Sequence, residues 1–346
     1  MSRSQMRVWC VRAGARGERE QFALDNDVVV IGWQELDDLT SVGTWEELTK
    51  LLSDTYPNKN KRSIGMSCGQ IWRFLKEISE NDMVLLPLKS TPTVAVGKIV
   101  GPYKFVPTNP PDAKHVRPVK WLEKSLPRSM LDADIQRSLY TYLTVFKVGD
   151  EECAKRIQKA VNDFRRGRLG VGKAVEGEME ESVIDPEQVA FDLILKHIER
   201  EFSPHELAKL VAEIFKAQGF NVEVSQPGPD GGVDVLAAAG ELGTSKPHIC
   251  IQVKSGKTVV DVRMLREFRD TVRKFRADYG FLISWSGFNS AARQEARSDF
   301  FHIKLWDARA LVEALLGVYP KLPEEWRQRV PLKRIWTLAL WEGEWS

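Results

Sequence analysis

The spacing of apolar and polar positions changes near residue 186, and the change divides the chain. Upstream, short apolar runs at 6–11, 27–32, 82–87, 93–100 and about 143–148 alternate with turn residues and predict strands. Prolines are dense from Pro87 to Pro127, which argues for loops and edge strands there. Helices are predicted at 44–53, with Thr44 as cap, at 67–78, and at about 151–164. Short strands separated by turn signals predict an α+β small barrel.

Downstream, helical and strand periods alternate. Asp185–Pro186–Glu187 opens a helix that runs to about Phe202. Ser203–Pro204–His205–Glu206 opens a second with a capping box, and Leu207, Leu210, Val211, Ile214 and Phe215 share one face of it. Gly219 stops that helix. Strands follow at 221–225, 232–237, 248–253, 279–284 and 302–306, with helices at 260–275, 290–298 and 308–316. This order predicts an α/β core, a mixed sheet flanked by helices.

Between the two patterns, residues 166–185 hold four glycines, then an acidic run of Glu176, Glu178, Glu180 and Glu181. No apolar period runs through them, so they form a linker. The domains expected are therefore 1–165, a linker at 166–185, and 186–346 with a Trp-rich tail. Two domains also suit 346 residues at roughly 150 residues each.

Composition narrows the class. With 43% hydrophobic and 28% charged residues, the chain can bury a full core and is not disordered. No apolar run approaches the roughly 20 residues of a membrane span, and the N-terminus lacks the apolar region of a secretory signal. Cys10, Cys68, Cys153 and Cys250 form no CxxC, which favours reduced thiols and a cytoplasmic location over disulfides or a zinc site. The net charge of +2 excludes a tail-type nucleic-acid binder but leaves room for an enzyme with a local basic face.

The chemistry concentrates in Gly228–Pro229–Asp230–Gly231–Gly232–Val233–Asp234–Val235 and in Ile251–Gln252–Val253–Lys254. Gln252 and Lys254 are two apart on a strand, so they leave the same face. If the two strands pair, Asp234, Gln252 and Lys254 converge. A carboxylate, an amide oxygen and an ammonium at one point suit a hard cation beside a phosphate. Asp234 would bind Mg²⁺, and Gln252 would offer its carbonyl oxygen. Lys254 would orient or deprotonate the attacking water, or neutralise charge on the phosphate. Singly, each residue is more often a turn or solvated-edge residue. Set within the apolar strand Cys250–Val253, Gln252 and Lys254 gain weight.

These residues, with Gln218–Gly219–Phe220, Ser284–Trp285–Ser286–Gly287–Phe288 and Ile303–Lys304–Leu305–Trp306–Asp307, resemble the PD-(D/E)xK nuclease core, and more narrowly the Mrr-type restriction endonuclease domain. The likeness spans about residues 188–316. It implies metal-dependent hydrolysis of DNA phosphodiesters, with Mg²⁺ as cofactor and Mn²⁺ as a substitute. In one respect the chain departs from the family. Ala208 stands where an acidic helix residue is usual, with Glu206 and Glu213 nearby; Glu213, among apolar neighbours, is the preferred auxiliary ligand, and Asp230 is a further option.

The first domain carries Trp9, Trp33, Trp45, Trp72 and Trp121, most of them expected in the core. Trp33 follows Val28–Gly32, and Ser67–Phe74 presents Trp72 just after the basic residues Lys59, Lys61 and Arg62. With Asn81–Pro87, Val96–Ile99 and His115–Trp121, these stretches resemble EVE domains of the PUA superfamily over most of residues 5–148; YTH readers are more distant. The resemblance implies an aromatic pocket for a flipped, modified base, walled by Trp33 and Trp72 with Ser67 as a polar contact. Lys59, Lys61 and Arg62 would meet the DNA backbone.

Together these expectations describe a modification-dependent restriction endonuclease. It would act on double-stranded DNA with modified bases, without a membrane, as a homodimer or higher oligomer. Two alternatives stay open: a repair or RNA-processing nuclease without modification specificity, and a catalytically decayed DNA-binding protein. The tail residues Trp326, Trp336, Trp341 and Trp345, with Lys333 and Arg334, are expected in a packed terminal strand or hairpin.

Overall fold

The computed structural model describes residues 6–168, 170, 172, 185–226, 232–256 and 258–336. The chain divides into two compact units, one ending at Pro186 and the other spanning Glu187–Trp336. No helix among the described residues is long and apolar enough to cross a membrane.

In the first unit seven strands form one barrel-like sheet: β1 (Val8–Val11), β2 (Val28–Ile31), β3 (Met83–Pro87), β4 (Thr93–Ile99), β5 (Lys104–Phe105), β6 (His115–Pro127) and β7 (Val145–Gly149). Their order is β2-β6-β4-β3-β1-β7, with β5 on β6. Neighbours are antiparallel except β1 and β3, which are parallel. Alternation along β1 sends Trp9 and Val11 into one apolar cluster and Val8 and Cys10 into another, so both faces of the sheet are covered. Helices Trp45–Thr55 and Lys61–Trp72 close the first face through Leu48, Leu52, Ile64 and Ile71. Helix Glu151–Arg165 closes the other through Ile157 and Val161.

Among the elements that differ from expectation, two have a nameable local cause. β6 is a thirteen-residue strand inside the proline-dense stretch. It pairs with β2 through Pro118 and with β4 from Val119 onward, so Pro118 falls where the strand changes partners and its missing N–H interrupts neither ladder. The helix expected from Ser67 starts six residues earlier, because the Asn60 side chain accepts from the Ser63 amide and caps it. Its continuation, Arg73–Glu77, is a π-turn whose carbonyls at Phe74 and Leu75 accept from the buried Arg117 guanidinium at 2.6 and 2.9 Å.

In the second unit β8 (Asn221–Val224), β9 (Val235–Ala239), β10 (Ser245–Lys254), β11 (Tyr279–Ser284) and β12 (Ile303–Asp307) form a mixed sheet of order β12-β11-β10-β9-β8. β8, β9 and β10 are antiparallel; β10, β11 and β12 are parallel. Helices Pro186–Glu201, Pro204–Ala217 and Ala308–Val318 bury one face, and helices Val262–Lys274 and Ser290–Ala296 the other. All five apolar residues of the Pro204 helix named above are buried. This is the three-layer α/β core the sequence predicts.

The residues of the expected linker from 173 to 184 lie outside the described residues, as do Trp341 and Trp345. Asp185 belongs to the first unit: its amide donates to Tyr140 O at 2.6 Å, and its carboxylate pairs with Lys89 at 3.4 Å. Trp326 stacks on Phe202 in helix Glu324–Arg329, with ring centroids 6.2 Å apart, while Trp336 is fully exposed and residues 331–336 form no strand. Cys10, Cys68, Cys153 and Cys250 are free and buried.

Candidate active site and candidate base cavity

β9 and β10 bring the first constellation together. Ile251 pairs with Val235, so Asp234, one step before β9, lies opposite Gln252. The Asp234 amide donates to Ile251 O at 3.0 Å, and its carboxylate accepts from the Val253 amide at 2.7 Å. The Ser225 hydroxyl donates to Val233 O at 2.6 Å, and the Ser225 amide donates to Asp234 O at 2.9 Å. Asp234 is therefore held from both neighbouring strands.

Gln252 donates its side-chain N–H to Gly232 O at 2.8 Å. Gly232 can offer that carbonyl because its φ of +87° is in the left-handed region, which a glycine adopts without strain. With the amide nitrogen committed, the carbonyl oxygen is the end of Gln252 left for a ligand. Lys254 ends β10 on the same face as Gln252, beside Ser284 of β11. All three side chains are half-buried.

The donors here are oxygens, one carboxylate and one amide carbonyl, which is the set a hard divalent cation takes. No three His, Cys, Asp or Glu side chains converge among the described residues. Glu213 bonds Lys216 at 2.5 Å. Glu206 completes the capping box at Ser203 and pairs with Arg329 at 2.9 Å. Asp230 lies outside the described residues. Sequence reasoning missed Ser225; its signal is its place at the end of the strand that flanks Asp234.

The first unit has a cavity of about 310 Å³ where β2 ends, lined by Trp33, Glu35, Tyr56, Lys59, Arg19 and Asp112 among others. Trp33 holds a φ of +59°, a rare conformation for a bulky side chain and one that costs on the order of 1–3 kcal/mol. It is 7% exposed, and its indole N–H has no hydrogen-bond partner among the described residues. The Tyr56 hydroxyl donates to Glu35 at 2.8 Å, and Lys59 Nζ stands 4.6 Å over the Tyr56 ring. Desolvation opposes ionisation of Glu35 more than any single partner favours it, but the bonds from Tyr56, its own backbone amide and Gln34, with the Lys59 charge, together hold the carboxyl below its usual range. Arg19 and Asp112 pair at 3.5 Å on the same lining.

Trp33 and Lys59 thus share a cavity, whereas Trp72 and Ser67 are not among its lining. Trp72 packs edge-on against Trp45, with centroids 5.9 Å apart, and Ser67 is 1% exposed within its helix. Lys61 and Arg62 are exposed at the start of that helix. Tyr56, Glu35, Arg19 and Asp112 went unassigned in the sequence because they come from four separate segments.

Residues 199–315 match the family model described as restriction endonuclease, and residues 9–148 match a domain of unknown function (DUF8426). A search of curated proteins found no match. Among solved structures, the chain is similar to a protein of unknown function, AF1548, at 13% identity over 32% of this chain and 66% of that one, with a TM-score of 0.26. It is also similar to the DNA modification-dependent restriction endonuclease AspBHI, at 12% identity, 79% and 75% coverage and a TM-score of 0.34. A third is the MspJI restriction endonuclease in complex with a 27-mer oligonucleotide, at 14% identity, 88% and 74% coverage and a TM-score of 0.27. The chain spans just under two thirds of the first of these and about three quarters of the other two.

Proposed function

We propose, from the premise that the C-terminal unit is a restriction endonuclease domain that cuts DNA, that the whole chain is a modification-dependent endonuclease. In this reading the first unit takes a modified base, flipped from the duplex, into the cavity beside Trp33. The second unit hydrolyses a phosphodiester at Asp234, Gln252 and Lys254.

Nucleases of this kind use a divalent metal ion, here Mg²⁺ with Mn²⁺ as a substitute, which neutralises phosphate charge when bound. Asp234 and Gln252 would hold it. Glu213 already accepts from Lys216 through one oxygen and would join them through the other. The Val253 amide fixes the Asp234 carboxylate, and Gly232 O fixes the Gln252 amide, so both oxygens are oriented in advance. Lys254 brings a positive charge to the same face, where it can orient the attacking water or offset charge developing on the phosphate. One such site cuts one strand, so a double-strand break requires two copies of the chain or two encounters.

The observation that carries the reading half is the strained, deeply set Trp33 on an aromatic cavity. Backbone strain persists where surrounding structure holds it, and it clusters at ligand clamps. Tyr56 is the second wall, in place of the half-buried Trp72. Lys59 at the cavity, with Lys61 and Arg62, would meet phosphates. Cleavage of modified against unmodified duplexes, with and without Mg²⁺, tests both halves. A nuclease without a reader would cut both DNAs alike, and a decayed one would cut neither.

A further inference from the structure

The cavity beside Trp33 holds an acceptor as well as aromatic walls. Glu35 accepts from the Tyr56 hydroxyl at 2.8 Å and from the Gln34 amide at 3.3 Å. Those bonds hold its carboxylate on the lining. An ionised carboxylate has about four lone-pair sites, so acceptor capacity remains. It has no donor to offer. A carboxylate in a base pocket therefore favours an edge that presents an amine N–H and repels one that presents a keto oxygen. The indole N–H of Trp33, which has no partner among the described residues, is a separate requirement: it asks the base for an acceptor and does not itself choose between amine and keto. A buried donor left unmade is costly, and a ring nitrogen or carbonyl of a bound base would supply its acceptor.

We propose that this cavity selects modified bases that carry an exocyclic amine on their pairing edge, with Glu35 as the specificity-determining residue between the Trp33 and Tyr56 walls. The inference rests on the reading of the first unit as a modified-base reader. Cytosine, adenine and guanine all carry an amine on the pairing edge, but guanine sets a keto oxygen on that edge at position 6, where adenine has its amine. Cytosine and adenine are therefore the candidate sources, and the pair that tests the amine is 5-hydroxymethylcytosine against 5-hydroxymethyluracil. These two differ on that edge, amine and bare ring nitrogen against keto and ring N–H, and share the modification.

The test is binding of the full chain, carrying Asp234→Ala to prevent cutting, to short duplexes with one central base. The bases are 5-hydroxymethylcytosine, 5-hydroxymethyluracil, N6-methyladenine and unmodified cytosine. The expected result is that at least one amine-bearing modified base binds roughly tenfold or more tighter than 5-hydroxymethyluracil. Which of the two binds identifies the cytosine or the adenine source. Glu35→Gln, an exposed and isosteric change, should erase that preference without shifting the melting temperature. Equal binding of 5-hydroxymethyluracil, or an unchanged preference in Glu35→Gln, overturns the inference while leaving modification reading in place. If no modified duplex is preferred over unmodified DNA, the reader itself falls, a result distinct from either.

Discussion

At the scale of single residues, the nuclease site depends on charge held in place. Asp234→Ala removes the carboxylate that β9 sets opposite Gln252 and should abolish cleavage, while binding of modified DNA persists. Lys254→Ala should cut the rate at least ~10²-fold by removing positive charge beside the phosphate. Single-turnover cleavage and binding, measured on the same preparations, check both; full cleavage by either variant would remove that residue from the chemistry. In the first unit, Trp33→Ala should cost ~1–3 kcal/mol of affinity for modified DNA beyond any change toward unmodified DNA. Because Trp33 is 7% exposed within an apolar cluster, it should lower the melting temperature as well. Trp72→Ala should act on folding alone. A fully buried tryptophan costs ~3–5 kcal/mol on truncation, and Trp72, half-buried against Trp45, should cost less but lower the melting temperature. The ratio of affinities for the two DNAs, which Trp33→Ala alone should change, separates a wall from a core residue, and melting of both variants reports the packing lost. The pairing of Asp234 with Gln252 and Lys254 was legible because two adjacent strands carry them and strand periodicity fixes their faces. The partnership of Trp33 with Tyr56 and Glu35 was not, since it is set by where helix Trp45–Thr55 ends against the barrel.

At the scale of elements, the second unit follows its sequence closely. Its five strands and its helices up to Val318 lie close to where the sequence predicts them, and the capping box at Ser203 forms as expected. Helix Glu324–Arg329 is the exception, where a strand or hairpin is expected. The first unit hides more. Proline density obscures β6, whose one internal proline sits at the change of partners. Helix Glu20–Asp25 is also illegible: it is six residues long, without a side-chain cap. Its Glu20 is buried and accepts from the Lys89 and Ser90 amides and from the Ser90 hydroxyl at 3.0 Å, clasping the loop between β3 and β4. Burial outweighs those bonds and pushes the Glu20 carboxyl up to about 7 from the usual 4.5. The native state then binds the extra proton across that window. Its contribution is fully present below about 4.5 and is lost as pH rises through about 7. Glu20→Gln should flatten the fall in melting temperature between pH 4.5 and pH 7. An unchanged slope in the variant would mean that another group carries it.

At the scale of the whole molecule, reading and cutting are assigned to different units, and the division can be tested on separated pieces. Residues 1–186 should bind modified DNA better than unmodified DNA, and residues 187–346 should bind weakly and without preference. Fluorescence anisotropy on matched duplexes measures both. Equal binding of the two DNAs by the first piece would remove its reader role and leave a nuclease without modification specificity. The most direct measurement is cleavage by the intact chain. Two duplexes of identical sequence, one carrying the modified base identified by binding and one unmodified, are incubated in Mg²⁺ and in parallel with a chelator. A modification-dependent nuclease cuts only the modified duplex, only with the metal, and loses that cutting in Asp234→Ala. Cutting of both duplexes at the same rate, or cutting that survives the chelator, would contradict it.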